Sequence, residues 1–192
     1  MQAGFLKRVC AYIIDIILLN AIISLITINM NINNKYNEEI VELTNKYTNK
    51  EIVYDDMLKE YNKLVYNSQK DNYIYYIVEL IITVGYFIVF QTLNKGQTIG
   101  KKILRIKIVN NDNSDINIKG IILRSLFIYN ILSLSTICFT IKLLSMHAYN
   151  STYTIVTTCE TLFTIITFIF IMYKKEKRGL HDIIANTKVI SI

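Results

Sequence analysis

Five charged side chains interrupt the long apolar stretches of this chain, and their types and positions point to chemistry. They are Asp15, Glu79, Arg124, Lys142 and Glu160. A charged side chain inside a membrane-spanning helix is costly, and such residues mark proton relays and ion paths. Two carboxylates near one lysine cannot both stay ionised at low cost, so one of them can titrate near neutral pH. Proton-coupled exchange requires this chemistry.

The apolar stretches predict helices that cross a bilayer. A spanning helix needs about 20 mostly apolar residues, and four stretches are long enough: residues 9–30, 73–93, 121–146 and 152–173. The chain has 192 residues, 52% of them hydrophobic, with no proline and three cysteines. This composition excludes disorder and a disulfide scaffold. We predict an all-α membrane protein, a four-transmembrane-helix bundle formed as one domain over residues 1–192.

The distribution of charge predicts the orientation of the bundle. The segment 94–120 has six Lys and Arg against two acids, and the tail 174–192 has five against two. The segment 31–72 is slightly acidic, with six lysines against eight acids. Because positive loops stay in the cytoplasm, we expect both termini and residues 94–120 inside and residues 31–72 outside.

The segments outside the apolar stretches have patterns of their own. Residues 31–72 repeat apolar positions every three or four residues, which predicts an outer cap of two amphipathic helices. Thr48 and Glu51 fit a capping box, so we expect the second helix to begin there. The cap either shields the bundle or captures a substrate or partner.

Apolar and basic residues alternate at 103–109, a return strand can follow at 116–118, and residues 187–192 are strand-like. These segments predict a small cytoplasmic β element.

Four sequence blocks resemble the RDD family of bacterial integral membrane proteins. They are AGFLKRVCAYIID at 3–15, GQTIGKK at 96–102 leading into LRIKIV at 104–109, Leu123-Arg124, and KRGLHDIIANTKV at 177–189. The resemblance spans the chain apart from residues 31–72, which are a departure from the family. It implies a multi-pass protein of the bacterial cytoplasmic membrane, suspected of transport and, for some members, of sodium–proton antiport. The arginine and two aspartates of the family name would be Arg8, Asp15 and Asp182.

Two charged groups are expected from the predicted depths of these residues. On the inner side, Arg8, Asp15, Arg124 and Asp182 form one layer, in which Asp15 pairs with Arg124 and Asp182 pairs with Arg8. On the outer side, Glu79, Lys142 and Glu160 can meet as one lysine against two carboxylates. The alternative role for these charges is structural, since buried ion pairs can specify how helices pack.

The basic segment after the second span has a simpler explanation. We expect Lys101, Lys102, Arg105 and Lys107 to bind anionic membrane lipids, each contributing about 1 kcal/mol near the surface. The stretch at 96–102 lacks the spacing of a phosphate loop. We expect no metal site, no cofactor, no nucleic-acid partner and no enzymatic activity, because no cluster of suitable residues is evident.

These patterns lead to two functional hypotheses. The first is a transporter that exchanges monovalent cations for protons, with Asp15 as the central carboxylate and Glu79 and Glu160 as secondary sites. Four helices make a narrow bundle, so we expect a homo-oligomer. The second is a non-transporting membrane scaffold or accessory subunit that binds a protein partner through residues 31–72 or through the basic inner face.

Overall fold

The computed structural model describes residues 2–30, 32, 35–174 and 176–192. Three long apolar helices dominate this part of the chain, and each is long enough to cross a membrane: Phe5–Thr27, Tyr73–Leu93 and Met146–Tyr173. The helical elements are α1 (Phe5–Thr27), α2 (Lys35–Thr48), α3 (Tyr54–Asp71), α4 (Tyr73–Val84), α5 (Gln91–Leu93), α6 (Ile99–Ile103), α7 (Ile118–Ile128), α8 (Ile131–Thr140), α9 (Met146–Tyr173) and α10 (Leu180–Ile184). A π-helical turn, Gly85–Phe90, joins α4 to α5.

The third apolar stretch is not the continuous helix that its hydropathy predicts. It is divided into α7 and α8, which meet at an angle of 81°, so a fourth span exists only if this bent pair is one broken span. Asn130 adopts the left-handed conformation at the break, with φ of 53°, and asparagine tolerates this conformation better than most residues. The carboxylate of Glu160 then accepts the backbone N–H groups of Leu132 and Ser133, which stabilises the new helix start.

Residues 35–71 form a pair of helices, α2 and α3, which pack on each other. The expected start of the second helix at Thr48 is wrong. Thr48 is the last residue of α2, where its hydroxyl donates to the carbonyl of Thr44, and α3 begins at Tyr54. The pair contacts the first turns of α9, because the Tyr149 hydroxyl donates to Gln69 over 2.7 Å.

The small sheet lies near the opposite ends of the long helices. Strands β1 (Ile106–Asn110) and β2 (Thr187–Ser191) pair antiparallel, and the N–H of Ala3, just before α1, donates to Val189. The expected strand is partly wrong at its ends: residues 103–105 finish α6 and its following turn, and the return strand is reduced to one bridge between Val109 and Asp115. Apolar side chains join the sheet to α1 and α7 in one core: Ala3, Ala11, Ile106, Ile108, Ile116, Ile121 and Val189.

Candidate functional site

Asp15 lies fully buried in α1 and is held by neutral hydrogen-bond donors. The Tyr86 hydroxyl donates to Oδ1 over 2.6 Å, the Thr98 hydroxyl to Oδ2 over 2.5 Å, and the backbone N–H of Gly100 to Oδ1 over 2.8 Å. No salt bridge to Asp15 is present within the described residues. The expected pair between Asp15 and Arg124 is therefore wrong, because the start of α6 occupies the space beside Asp15.

Glycine at position 100 explains how α6 reaches this carboxylate. A Cβ atom at Gly100 would lie 2.3 Å from the carbonyl oxygen of Ala11 and 2.9 Å from Asp15 Oδ1. Both distances are far below van der Waals contact, so only a residue without a side chain permits this approach of two backbones. Thr98 caps α6 by accepting the N–H of Lys101, which fixes the turn that presents the donors to Asp15.

Asp182 is the carboxylate that pairs with the arginines. Arg8 Nη1 donates to Oδ2 over 2.8 Å, Arg124 Nη1 donates to Oδ1, and the N–H of Gly179 donates to Oδ2 over 3.0 Å. Burial raises the pKa of this carboxyl, but the charges of Arg124 and Arg8 outweigh it and hold the pKa below its ordinary value. Asp182 therefore stays ionised and joins α1, α7 and α10.

Lys101 does not face the lipid surface. Its side chain is buried, and Nζ donates to the hydroxyls of Thr98 and Tyr129, each over 3.3 Å. Burial lowers the pKa of Lys101 to about 8, since no carboxylate contacts the ammonium directly. Lys101 is therefore not at the surface, where the sequence predicted a lipid anchor, whereas Lys102 and Arg105 are exposed.

Lys107 and Lys142 are two further candidate residues, and each has a close contact in the structure. Lys107 pairs with Asp115 over 2.6 Å. The expected outer group does not form: Lys142 Nζ lies 3.7 Å from the ring centroid of Tyr73, and no salt bridge joins it to Glu79 or Glu160 in the described parts of the chain.

The RDD family model matches residues 2–186, nearly the whole chain. The chain belongs to the RDD family. It is a membrane protein with several apolar helices, and the family match includes residues 31–72. No curated protein and no solved structure matches the chain.

The three residues that the resemblance assigns to the RDD name have unequal surroundings in this chain. Arg8 and Asp182 form a direct pair, together with Arg124, whereas Asp15 has a separate set of neutral partners. Sequence reasoning missed Tyr86, Thr98 and Gly100 as partners of Asp15. The signal was present for two of them, because Thr98 and Gly100 lie in the block at 96–102 that resembles the RDD family.

His181 is a buried neighbour of Asp182 that sequence reasoning set aside. Its Nε2 lies 3.4 Å from Asp182 Oδ1, and burial lowers the pKa of His181 from 6.5 to about 3. The unfolded chain therefore binds more protons than the folded chain between about pH 3 and 6.5. Folding stability must decrease as the pH falls through this range.

This shift predicts a pH-dependent stability that depends on His181. Between pH 7.5 and 5.5, wild type should lose about 1.4 kcal/mol of unfolding free energy through this residue, and His181→Gln should not show this loss. Chemical denaturation in detergent at the two pH values measures the difference. His147→Gln is the matched control because His147 is exposed. Equal pH dependence in wild type and His181→Gln would show that His181 is not the group responsible.

Proposed function

We propose that this RDD-family protein exchanges a monovalent cation for a proton across the membrane, with the cation bound at Asp15 and the proton released from the neighbouring Lys101. The observation that carries the proposal is the neutral environment of this buried carboxylate. Asp182, fixed by two arginines, keeps its charge, whereas the partners of Asp15 among the described residues are hydroxyl and N–H groups. A buried carboxylate that only neutral donors contact has no cation beside it to balance its charge, so a cation that enters this site would be stabilised there.

The oxygen atoms around Asp15 suit a hard cation. Besides the carboxylate, the Thr98 and Tyr86 hydroxyl oxygens lie within 2.6 Å of it. The Ala11 carbonyl oxygen and Asp15 Oδ1 both lie beside Gly100. Hard cations take carboxylate, hydroxyl and carbonyl oxygens as ligands. In the structure, the Thr98 and Tyr86 hydroxyls donate hydrogen bonds to Asp15. When a cation binds, they would rotate so that their oxygen lone pairs face the cation.

Lys101 provides a proton that can respond to the cation. Its ammonium donates to the Thr98 hydroxyl, which in turn donates to Asp15. Since the pKa of Lys101 is already lowered to about 8, a cation at Asp15 would lower it further by repulsion. Cation entry would then favour proton release, which is the coupling that exchange needs.

Two irregular segments bear the partners of Asp15. Tyr86 lies in the π-helical turn Gly85–Phe90, and Thr98 precedes the short helix α6. π-helical turns inside α-helices are frequent at functional sites.

The proposal includes a homo-oligomer in the bacterial cytoplasmic membrane, with both termini and the β1–β2 sheet on the cytoplasmic side and the α2–α3 pair outside. It assigns no enzymatic activity to the chain.

Proton flux in proteoliposomes tests the proposal. Wild type should acidify or alkalise vesicles loaded with a pH dye when a sodium, potassium or lithium gradient is imposed. Asp15→Asn has the same shape without the charge, so flux should fall to the rate of protein-free vesicles. Asp112→Asn is the matched control, because Asp112 is an exposed carboxylate in the turn after β1. Absence of flux in wild type under all three gradients rules out exchange, and full flux in Asp15→Asn rules out Asp15.

A second candidate function has support from the surface of the α2–α3 pair. Apolar side chains are exposed there, including Val41, Tyr47, Val53 and Tyr54, and exposed apolar surface marks interaction sites. A scaffold that binds a partner through this pair predicts no flux and a complex of fixed composition in native gels. In that case Val41→Ser and Val53→Ser should dissociate the complex.

A further inference from the structure

A cavity of about 80 Å³ lies where α1, α7 and α9 meet the sheet. Each water occupies about 30 Å³ in the liquid, so the cavity has room for roughly two or three water-sized groups. Aromatic and aliphatic side chains form much of its wall, among them Phe5, Ile128 and Phe168. Asp15 does not line the cavity, so a ligand can bind there whether or not cations exchange at that residue.

The charged side chains of the cavity wall are all basic. Arg8, Lys101 and Arg124 line it, and none of its described lining residues is an acid. Behind the wall, Arg8 and Arg124 share the carboxylate of Asp182, so this buried group has two positive charges against one negative charge. One unbalanced positive charge in a site of low dielectric is costly. A negatively charged ligand is the simplest compensation.

Two polar atoms beside the cavity lack partners. Thr167 Oγ1 and His181 Nδ1 are buried without a hydrogen-bond partner in the described structure, and both side chains line the cavity. Because Nε2 of His181 faces Asp182, Nδ1 is the acceptor atom of the neutral ring. Thr167 can donate to an oxyanion, and His181 can accept from a hydroxyl group on it. Unpaired buried polar atoms of this kind are rare unless a ligand or water completes them.

We propose that this cavity binds a phosphate-type oxyanion that also carries a hydroxyl group, either as an anionic lipid headgroup or as inorganic phosphate. Arg124 and Lys101 supply the positive charge, and Thr167 supplies a neutral donor. Arg124 has donors to spare, since a guanidinium carries five N–H groups and its contacts to Asp182 and Thr187 both use Nη1. Lys101 has only neutral hydroxyl partners at present. For a lipid, the apolar wall would accommodate the carbon atoms next to the phosphate.

Native mass spectrometry and thermal unfolding of the full chain in neutral detergent test this site. One arm adds phosphatidylglycerol with phosphatidylcholine as the reference lipid, and the other adds inorganic phosphate with chloride as the reference anion. We expect one retained phosphatidylglycerol and a rise in unfolding temperature. Stabilisation by phosphatidylglycerol alone identifies a lipid headgroup, and stabilisation by both identifies an oxyanion site open to either source. Absence of both effects overturns the proposal.

Matched variants separate the cavity from the basic surface. Lys101→Gln should weaken binding about tenfold, as expected for the loss of one charge-assisted hydrogen bond. Lys102→Gln should leave binding unchanged, because Lys102 is exposed and does not line the cavity. Thr167→Val tests the site with little risk of misfolding, because valine has the shape of threonine and the Thr167 hydroxyl makes no hydrogen bond in the ligand-free structure. It should weaken binding several-fold at unchanged basal stability. Equal effects of Lys101→Gln and Lys102→Gln would attribute the binding to surface charge and overturn the proposal.

Discussion

Asp182→Asn is expected to destabilise the folded chain by about 3–5 kcal/mol, since removing one partner of a buried ion pair leaves an uncompensated buried charge. We expect the upper part of this range, because Asp182 is the shared carboxylate of Arg8 and Arg124 and is fully buried. The asparagine would also present an N–H₂ group toward a guanidinium. Denaturation in detergent micelles, followed by circular dichroism at neutral pH, measures the change.

Asp115→Asn is the control for this experiment. It also removes a carboxylate from a close ion pair, with Lys107, but this pair is at the surface. Surface pairs contribute about 0–1 kcal/mol, so the control should stay close to wild type. If both variants lost equal stability, the buried position of Asp182 would not be the cause. Replacing Arg8, Arg124 and Asp182 together by apolar residues should recover part of the loss, because well-packed apolar residues can replace a buried charge group.

Gly100→Ala is the second variant that we expect to lower the stability of the folded chain strongly. The added Cβ would lie 2.3 Å from the Ala11 carbonyl oxygen, which belongs to the backbone of α1 and cannot turn away. Overpacking of this kind costs about 1–3 kcal/mol, and more where backbone must move. Separation of α6 from α1 would also remove the N–H and Thr98 donors from Asp15. We therefore expect lower stability together with loss of any flux that depends on Asp15.

Gly85→Ala is the matched control in the same fold. A Cβ at Gly85 meets no atom within 4 Å, and its backbone is helical. Alanine is preferred over glycine in a helix by about 0.5–1 kcal/mol, so this variant should be as stable as wild type or slightly more stable. A loss at Gly85 equal to that at Gly100 would mean that added side-chain volume in general, and not the α1–α6 contact, limits this chain.

The helices illustrate how far sequence reasoning reaches. The long apolar stretches at 73–93 and 152–173 correspond to helices because hydropathy and length are local properties. The third stretch is also apolar and long enough, but it breaks at Asn130, where Glu160 of α9 accepts the backbone N–H groups at the start of α8. A window along the sequence does not contain that contact. The capping box predicted at Thr48 is wrong for the same reason. The residue types around Thr48 fit the motif, but in the folded chain Thr48 ends α2, which packs on α3.

The sequence by itself determined that this is an RDD-family membrane protein and which charged residues interrupt its apolar stretches, because motifs, apolar length and charge content are properties of the order of residues. Only the tertiary structure decided which charges meet. The predicted depths in the membrane made Arg124 the expected partner of Asp15. Because Gly100 lets α6 approach α1, neutral donors lie beside Asp15 where Arg124 was expected. Arg124 is thereby left to Asp182. Pairing depends on which backbones can touch, and that is a property of three-dimensional packing rather than of spacing in the chain.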